Sequence, residues 1–137
     1  MSKKILIVDD EPDIVVVMKF ILEKNGFEVI TAYNGHEGIE QALKSSPDLI
    51  VLDVLMPEMS GDAMSRELAN HPQTSDIPVV FLTNVPIDFL TPTDDQNEYG
   101  LQRDERGNVF LPKFAPEDVL LETIYKVLEE REKNSKL

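Results

Sequence analysis

Short runs of apolar, mostly β-branched residues recur along the chain: Ile5 to Val8, Val29 to Ile30 with its flanks, Leu49 to Leu52, Val79 to Leu82 and Val109 to Leu111. They are too short for helices and continuous rather than alternating, so both faces of each are expected to be buried. Strands of a parallel sheet covered by helices have this pattern. Helical periodicity fills the gaps. Asp10-Glu11-Pro12-Asp13 opens a first helix with acids and an early proline, whose missing N–H costs little there, and Asn25-Gly26 closes it. Its stripe of Ile14, Val17, Met18, Ile21 and Leu22 predicts the buried face. A second helix spans Gly35 to Ser45, with Ile39, Ala42 and Leu43 inward and Pro47 as its stop. A third spans Ser60 to Asn70, with Ala63, Met64 and Leu68 inward and His71-Pro72 behind it. Ala115-Pro116-Glu117-Asp118 opens the last, whose inward stripe is Val119, Leu120, Ile124, Val127 and Leu128. Strands alternating with helices imply right-handed crossovers and a doubly wound parallel α/β sheet.

Two stretches stand apart. Asn84 to Arg106 is acidic and carries Pro86 and Pro92, which argue against a long regular helix; a short helix around Asp95 to Leu101 and a turn at Arg106-Gly107-Asn108 are expected. The tail from Glu129 to Leu137 reads as a charged helix end that frays, with 131–137 as its loose part. No repeat or linker interrupts the pattern, so residues 1–137 are read as a single domain.

Composition narrows the function classes. A chain of 137 residues, 42% hydrophobic, buries a core without staples, and the absence of cysteine removes disulfides, thiolate nucleophiles and thiolate metal sites. The 26 acidic residues against 13 basic ones give a charge of −13, which repels phosphate backbones and anionic lipid. Direct nucleic-acid binding is disfavoured. The apolar stretch near the N-terminus is too short for a signal peptide or a membrane span, so a cytoplasmic protein with no membrane insertion is expected.

In an open α/β sheet the ligand site lies outside the carboxyl ends of the strands. Asp9 and Asp10 follow the first strand, Asp53 the third, Thr83 the fourth and Lys113 the fifth. Three carboxylates at one mouth repel one another, and a cluster of hard oxygen ligands is what magnesium takes, leaving coordination positions for a phosphoryl oxygen. The lysine offers a fixed positive charge and the threonine a hydroxyl, both suited to the oxygens of a transferring phosphoryl group. Any one of these residues is ordinary at a strand end; their joint placement is what points to chemistry.

The motifs ILIVDDEPD at 5 to 13, PDLIVLDVLMPEMSG at 47 to 61, IPVVFLT at 77 to 83 and Lys113 after the fifth strand resemble the receiver domain of two-component response regulators, the CheY-like superfamily. The resemblance covers nearly the whole chain, and D-x-x-M-P-x-M-x-G is its most specific part. It implies a flavodoxin-like (βα)5 sheet in the order 2-1-3-4-5. It implies that Asp53 is the phospho-acceptor and that Asp9 or Asp10 binds Mg2+ with Asp53 and the Leu55 carbonyl. It further implies that Lys113 pairs with the phosphoryl group, and that Thr83 and the Asn84 amide are drawn toward it. Phe110 matches the switch aromatic. A carboxylate nucleophile forms a mixed anhydride, reactive enough to be temporary.

Three departures from the family pattern accompany the match. The stretch from Thr83 to Lys113 is longer than usual by roughly eight residues, about two helical turns, making 84–108 a divergent, lengthened connection. Asn84 stands where a small residue is usual, and Phe114 where proline commonly follows the lysine. The leading expectation is a non-enzymatic, single-domain receiver, phosphorylated by a sensor histidine kinase or histidine phosphotransfer protein and signalling to a downstream protein, as a monomer or weak dimer. The alternative is a receiver-fold interaction module that no longer switches by phosphorylation. A flavin carrier or an aspartyl phosphatase fits poorly, because Asp9-Asp10-Glu11 supplies neither a phosphate-binding loop nor a D-x-D nucleophile. His36 and His71 read as surface residues, and Met56, Met59 and Met64 as packing.

Overall fold

The computed structural model of the chain describes residues 2–84, 103–104 and 106–135. Its elements are β1 (Lys4–Val8), α1 (Pro12–Lys24), β2 (Glu28–Ala32), α2 (Gly35–Ser45), β3 (Leu49–Asp53), α3 (Gly61–Ala69), β4 (Val79–Thr83), β5 (Val109–Pro112) and α4 (Glu117–Ser135). The five strands are all parallel and lie in the order β2-β1-β3-β4-β5. The expected short helix around 95 to 101 lies outside the described residues.

Because side chains alternate across a strand, the sheet sorts its apolar residues into two layers. Ile5, Ile7, Leu49, Val51, Val80, Leu82, Val109 and Leu111 meet α1 and α4 on one face. Leu6, Val8, Ile50, Leu52, Val79 and Phe81 meet α2 and α3 on the other. The continuous apolar runs are thus explained by burial on both sides: Ile5 to Val8 are fully buried, each contributing about 1.5–3 kcal/mol.

Three inward faces differ from the sequence expectation. On α1 the buried residues are Val15, Met18 and Leu22, with Ile14 and Ile21 half-buried, while Val17 is 56% exposed. The unbroken run Ile14 to Met18 lets two stripes one residue apart satisfy the same period, and docking on the sheet selects one. On α2 Leu43 faces outward, and the buried positions are Gly35, Gly38 and Ala42. The two glycines let α2 approach α3 so closely that a Cβ at either would press on Met59 or Met64. Those methionines and Met56 are packing residues, buried or half-buried in that layer. On α3 Ala63 is only half-buried, and Ser65 joins Met64 and Leu68 inside. His36 is exposed and His71 half-buried.

The turn before β5 forms where Gly107 permits it, at φ +82°. The Asp104 carboxylate accepts from the backbone N–H groups of Arg106 and Asn108, and Asn108 Oδ1 accepts from Val79 N at the start of β4. The last helix runs on to Ser135, with Arg131 donating to the Asp48 carbonyl at 2.7 Å and Lys133 paired with Glu129.

Candidate functional site at the carboxyl ends of the strands

Backbone ladder bonds that continue one step past the strands fix Asp9, Asp53 and Lys113. Asp9 N donates to the Ala32 carbonyl of β2, Val54 N after Asp53 to the Leu82 carbonyl of β4, and Lys113 N to the Thr83 carbonyl at 2.7 Å. In register, Asp53 lies beside Leu82 and Thr83 beside Pro112. The sheet therefore delivers Asp9, Asp53, Thr83 and Lys113 to one edge, and the polar residues excluded from the apolar layers gather there.

Asp9 and Asp53 are buried, Asp10 and Thr83 half-buried, Leu55 and Asn84 exposed. The Lys113 ammonium, with only 2% of its side chain exposed, lies 3.2 Å from Asp53 Oδ2 and 3.2 Å from Asp9 Oδ2. It also donates to Glu11 Oε1. Backbone N–H groups hold the opposite oxygens, Glu11 N to Asp9 Oδ1 at 2.9 Å and, more loosely, Leu55 N to Asp53 Oδ1 at 3.4 Å.

Burial pushes the Asp53 carboxyl up to about 6, the Asp9 charge adds to this, and Lys113 and the Leu55 N–H oppose it. Burial also raises Asp9, against the Glu11 N–H and Lys113. For Lys113 burial alone would lower the pKa, but hydrogen bonds to Glu11 and Asp9 and the charges of Asp9 and Asp53 outweigh it and hold the ammonium charged. One lysine thus counters several carboxylates, and the site is short of positive charge.

The shortage has a location. Asp9 Oδ2 is buried without a hydrogen-bond partner, the ammonium at 3.2 Å lying off its bonding direction. Carboxylate oxygens of Asp9, Asp10, Glu11 and Asp53 lie within 4.8 Å of one another. An orphaned buried oxygen inside a set of hard oxygen donors fits a small divalent cation such as Mg2+.

Two residues have roles that sequence reasoning missed. Glu11 was legible only as an acid opening α1, although its position two residues beyond Asp9 was the available signal. Gly61 begins α3 against the end of β3: its N–H donates to the Val54 carbonyl, and a Cβ there would stand 2.2 Å from the Asp53 carbonyl oxygen. The final glycine of the D-x-x-M-P-x-M-x-G run is therefore required by close approach. Phe110 is half-buried and stacks on Phe81, centroids 4.9 Å apart, in the α3 layer.

The family model for the response regulator receiver domain matches residues 5–125. PilH of Pseudomonas aeruginosa is 33% identical over 125 residues, covering 91% of this chain and 97% of PilH. The alkaline phosphatase synthesis transcriptional regulatory protein PhoP of Bacillus subtilis is 43% identical over 83 residues, 61% of this chain and 34% of PhoP. The chain thus spans about a third of that longer relative. Among solved structures, the chemotaxis protein CheY4 of Vibrio cholerae superposes with a TM-score of 0.76 at 28% identity, covering 93% of this chain and 99% of CheY4. A CheY-like receiver domain protein from Methanospirillum hungatei gives 0.79 at 25% identity, covering 98% and 99%. No helix among the described residues is long and apolar enough to cross a membrane. With sheet order, acidic mouth, strand-end lysine and matched sequence in agreement, the chain belongs to the response regulator receiver domains.

Proposed function

We propose that Asp53 accepts a phosphoryl group from a phosphohistidine donor, a sensor histidine kinase or a histidine phosphotransfer protein, in a Mg2+-dependent reaction. The observation that carries this reading is the pairing of a buried Asp53 carboxylate with the Lys113 ammonium at 3.2 Å, beside the orphaned oxygen of Asp9. Asp53 attacks phosphorus as its Oδ–P bond forms and the donor P–N bond breaks. The electron pair of that bond stays with the imidazole, which leaves neutral when its other nitrogen carries a proton. Lys113 faces the oxygens on which charge collects, and its fixed position requires no reorganisation during transfer. Asp9, Asp10, Asp53 and the Leu55 carbonyl are the groups to hold Mg2+, which would offset the repulsion between two anions.

Thr83, at the end of β4, and the Asn84 amide would close on the phosphoryl oxygens, and Phe110 would then repack beside Phe81. Two packings of one surface, biased by a local charge, suffice to signal to a downstream protein. The chain itself would catalyse no more than its own phosphorylation and dephosphorylation, in the cytoplasm. Intact mass after exposure to acetyl phosphate, with and without Mg2+, tests this on wild type and Asp53→Asn. One phosphoryl group gained by wild type only, and only with Mg2+, is the expected result. No gain in wild type, or labelling that survives in Asp53→Asn, overturns it.

A further inference from the structure

We propose that Glu11 is a placeholder for the phosphoryl group: its carboxylate occupies the Lys113 ammonium in the unphosphorylated chain and competes there with the oxygens of a phosphoryl group on Asp53. The inference rests on the phospho-acceptor reading above. An ammonium has three N–H donors, and Lys113 spends them on Asp9, Asp53 and Glu11. A phosphoryl group on Asp53 inherits the donor that the Asp53 carboxylate held, because phosphorylation removes the charge of that carboxylate, and its remaining oxygens compete for a second. Asp9 cannot withdraw, since it is buried and tied to a backbone N–H. Glu11 can withdraw. Its side chain is 56% exposed and, among the described residues, makes no other hydrogen bond.

Local structure supports a role beyond the helix start. Glu11 sits at the N-cap of α1, where Ser, Thr, Asp or Asn would satisfy an end N–H, yet its side chain caps none. It turns to Lys113 instead, and the cap it forgoes marks a position held for another purpose. Glu11 would then lower the affinity of the site for a phosphoryl group and shorten the lifetime of the aspartyl phosphate.

The test uses the full chain, Mg2+ and beryllofluoride, an anion that stands in for the phosphoryl group on a carboxylate. Calorimetry measures Mg2+ alone, then beryllofluoride at saturating Mg2+, on wild type, Glu11→Gln and Glu11→Asp. Glu11→Gln is expected to bind beryllofluoride at saturating Mg2+ about three- to tenfold more tightly, the range of a half-exposed ion pair, and the separate Mg2+ titration removes any change in cation affinity from that comparison. Glu11→Asp keeps the charge but shortens the reach, so it should follow Glu11→Gln; behaviour like wild type would make the effect one of general charge and overturn the placeholder. A parallel loss of Mg2+ and beryllofluoride affinity in Glu11→Gln would make Glu11 a cation ligand and likewise overturn it, as would unchanged beryllofluoride affinity. A wild type that binds no beryllofluoride would instead defeat the phospho-acceptor reading itself.

Discussion

Replacing Asp53 by Asn removes a charge that the fold holds at a cost, and the cost follows from the site. An acid with a pKa of 3.8 in the unfolded chain and about 6 in the fold binds its proton more tightly when folded. Its ionisation therefore costs nothing below pH 3.8 and the full amount above pH 6. At about 1.36 kcal/mol per pH unit the full amount is about 3 kcal/mol. Relaxation of the surrounding groups recovers part of it, which leaves a gain for Asp53→Asn on the order of 1–2 kcal/mol at pH 8. About half of that should remain at pH 5, midway through the window. For a domain of this size the gain corresponds to a rise of about 3–8 °C in Tm. Thermal unfolding followed by far-UV circular dichroism in EDTA, at pH 8 and pH 5, measures both values. Mg2+ should narrow the gap, because the cation stabilises wild type in proportion to its occupancy. An Asp53→Asn midpoint at or below that of wild type at pH 8 would refute the clustering of Asp9 and Asp53 as a source of strain.

Other consequences are as direct. Lys113→Ala leaves Asp9 and Asp53 buried without their cation and should cost about 3–5 kcal/mol at pH 8 but less at pH 5, where the raised carboxyls protonate; urea denaturation at the two pH values checks this. Mg2+ binding must displace the Asp53 proton, so affinity should fall about fourfold between the neutral plateau and pH 5.5; a flat calorimetric profile would contradict the raised pKa. Gly61→Ala drives a Cβ into the Asp53 carbonyl and should destabilise by about 1–3 kcal/mol, visible as a lowered Tm with slower phosphorylation. Val15→Ala should lose about 1–2 kcal/mol and Val17→Ala under about 0.5, and equal losses in urea titrations would place the face of α1 wrongly.

Strand positions, helix boundaries and sheet class were legible in the sequence because each depends on neighbours a few residues apart. A continuous run such as Leu49 to Leu52 already states that both faces are covered. Helix phase was less legible. In α1 the run Ile14 to Met18 satisfies two stripes, and only packing on the sheet distinguishes Val15 from Val17. In α2 the pull of Leu43 toward the core yields to the close approach that Gly35 and Gly38 permit. That preference is set by Met59 and Met64 of a different segment, which no local pattern displays.

For the candidate site, the sequence alone determined which residue types arrive at the mouth. Strand ends in a parallel sheet face one edge, so Asp9, Asp53, Thr83 and Lys113 were identifiable from their places after apolar runs. Tertiary structure decided how they share one another. Lys113 is separated from Asp9 by 104 residues and from Asp53 by 60, and it meets both only because β5, β4, β3 and β1 pair in register. The raised pKa of Asp53, the orphaned oxygen of Asp9 and the claim of Glu11 on the ammonium all arise from that meeting in a buried place. Charge interactions depend on distance and on exclusion of water, and a linear chain encodes both only through the fold.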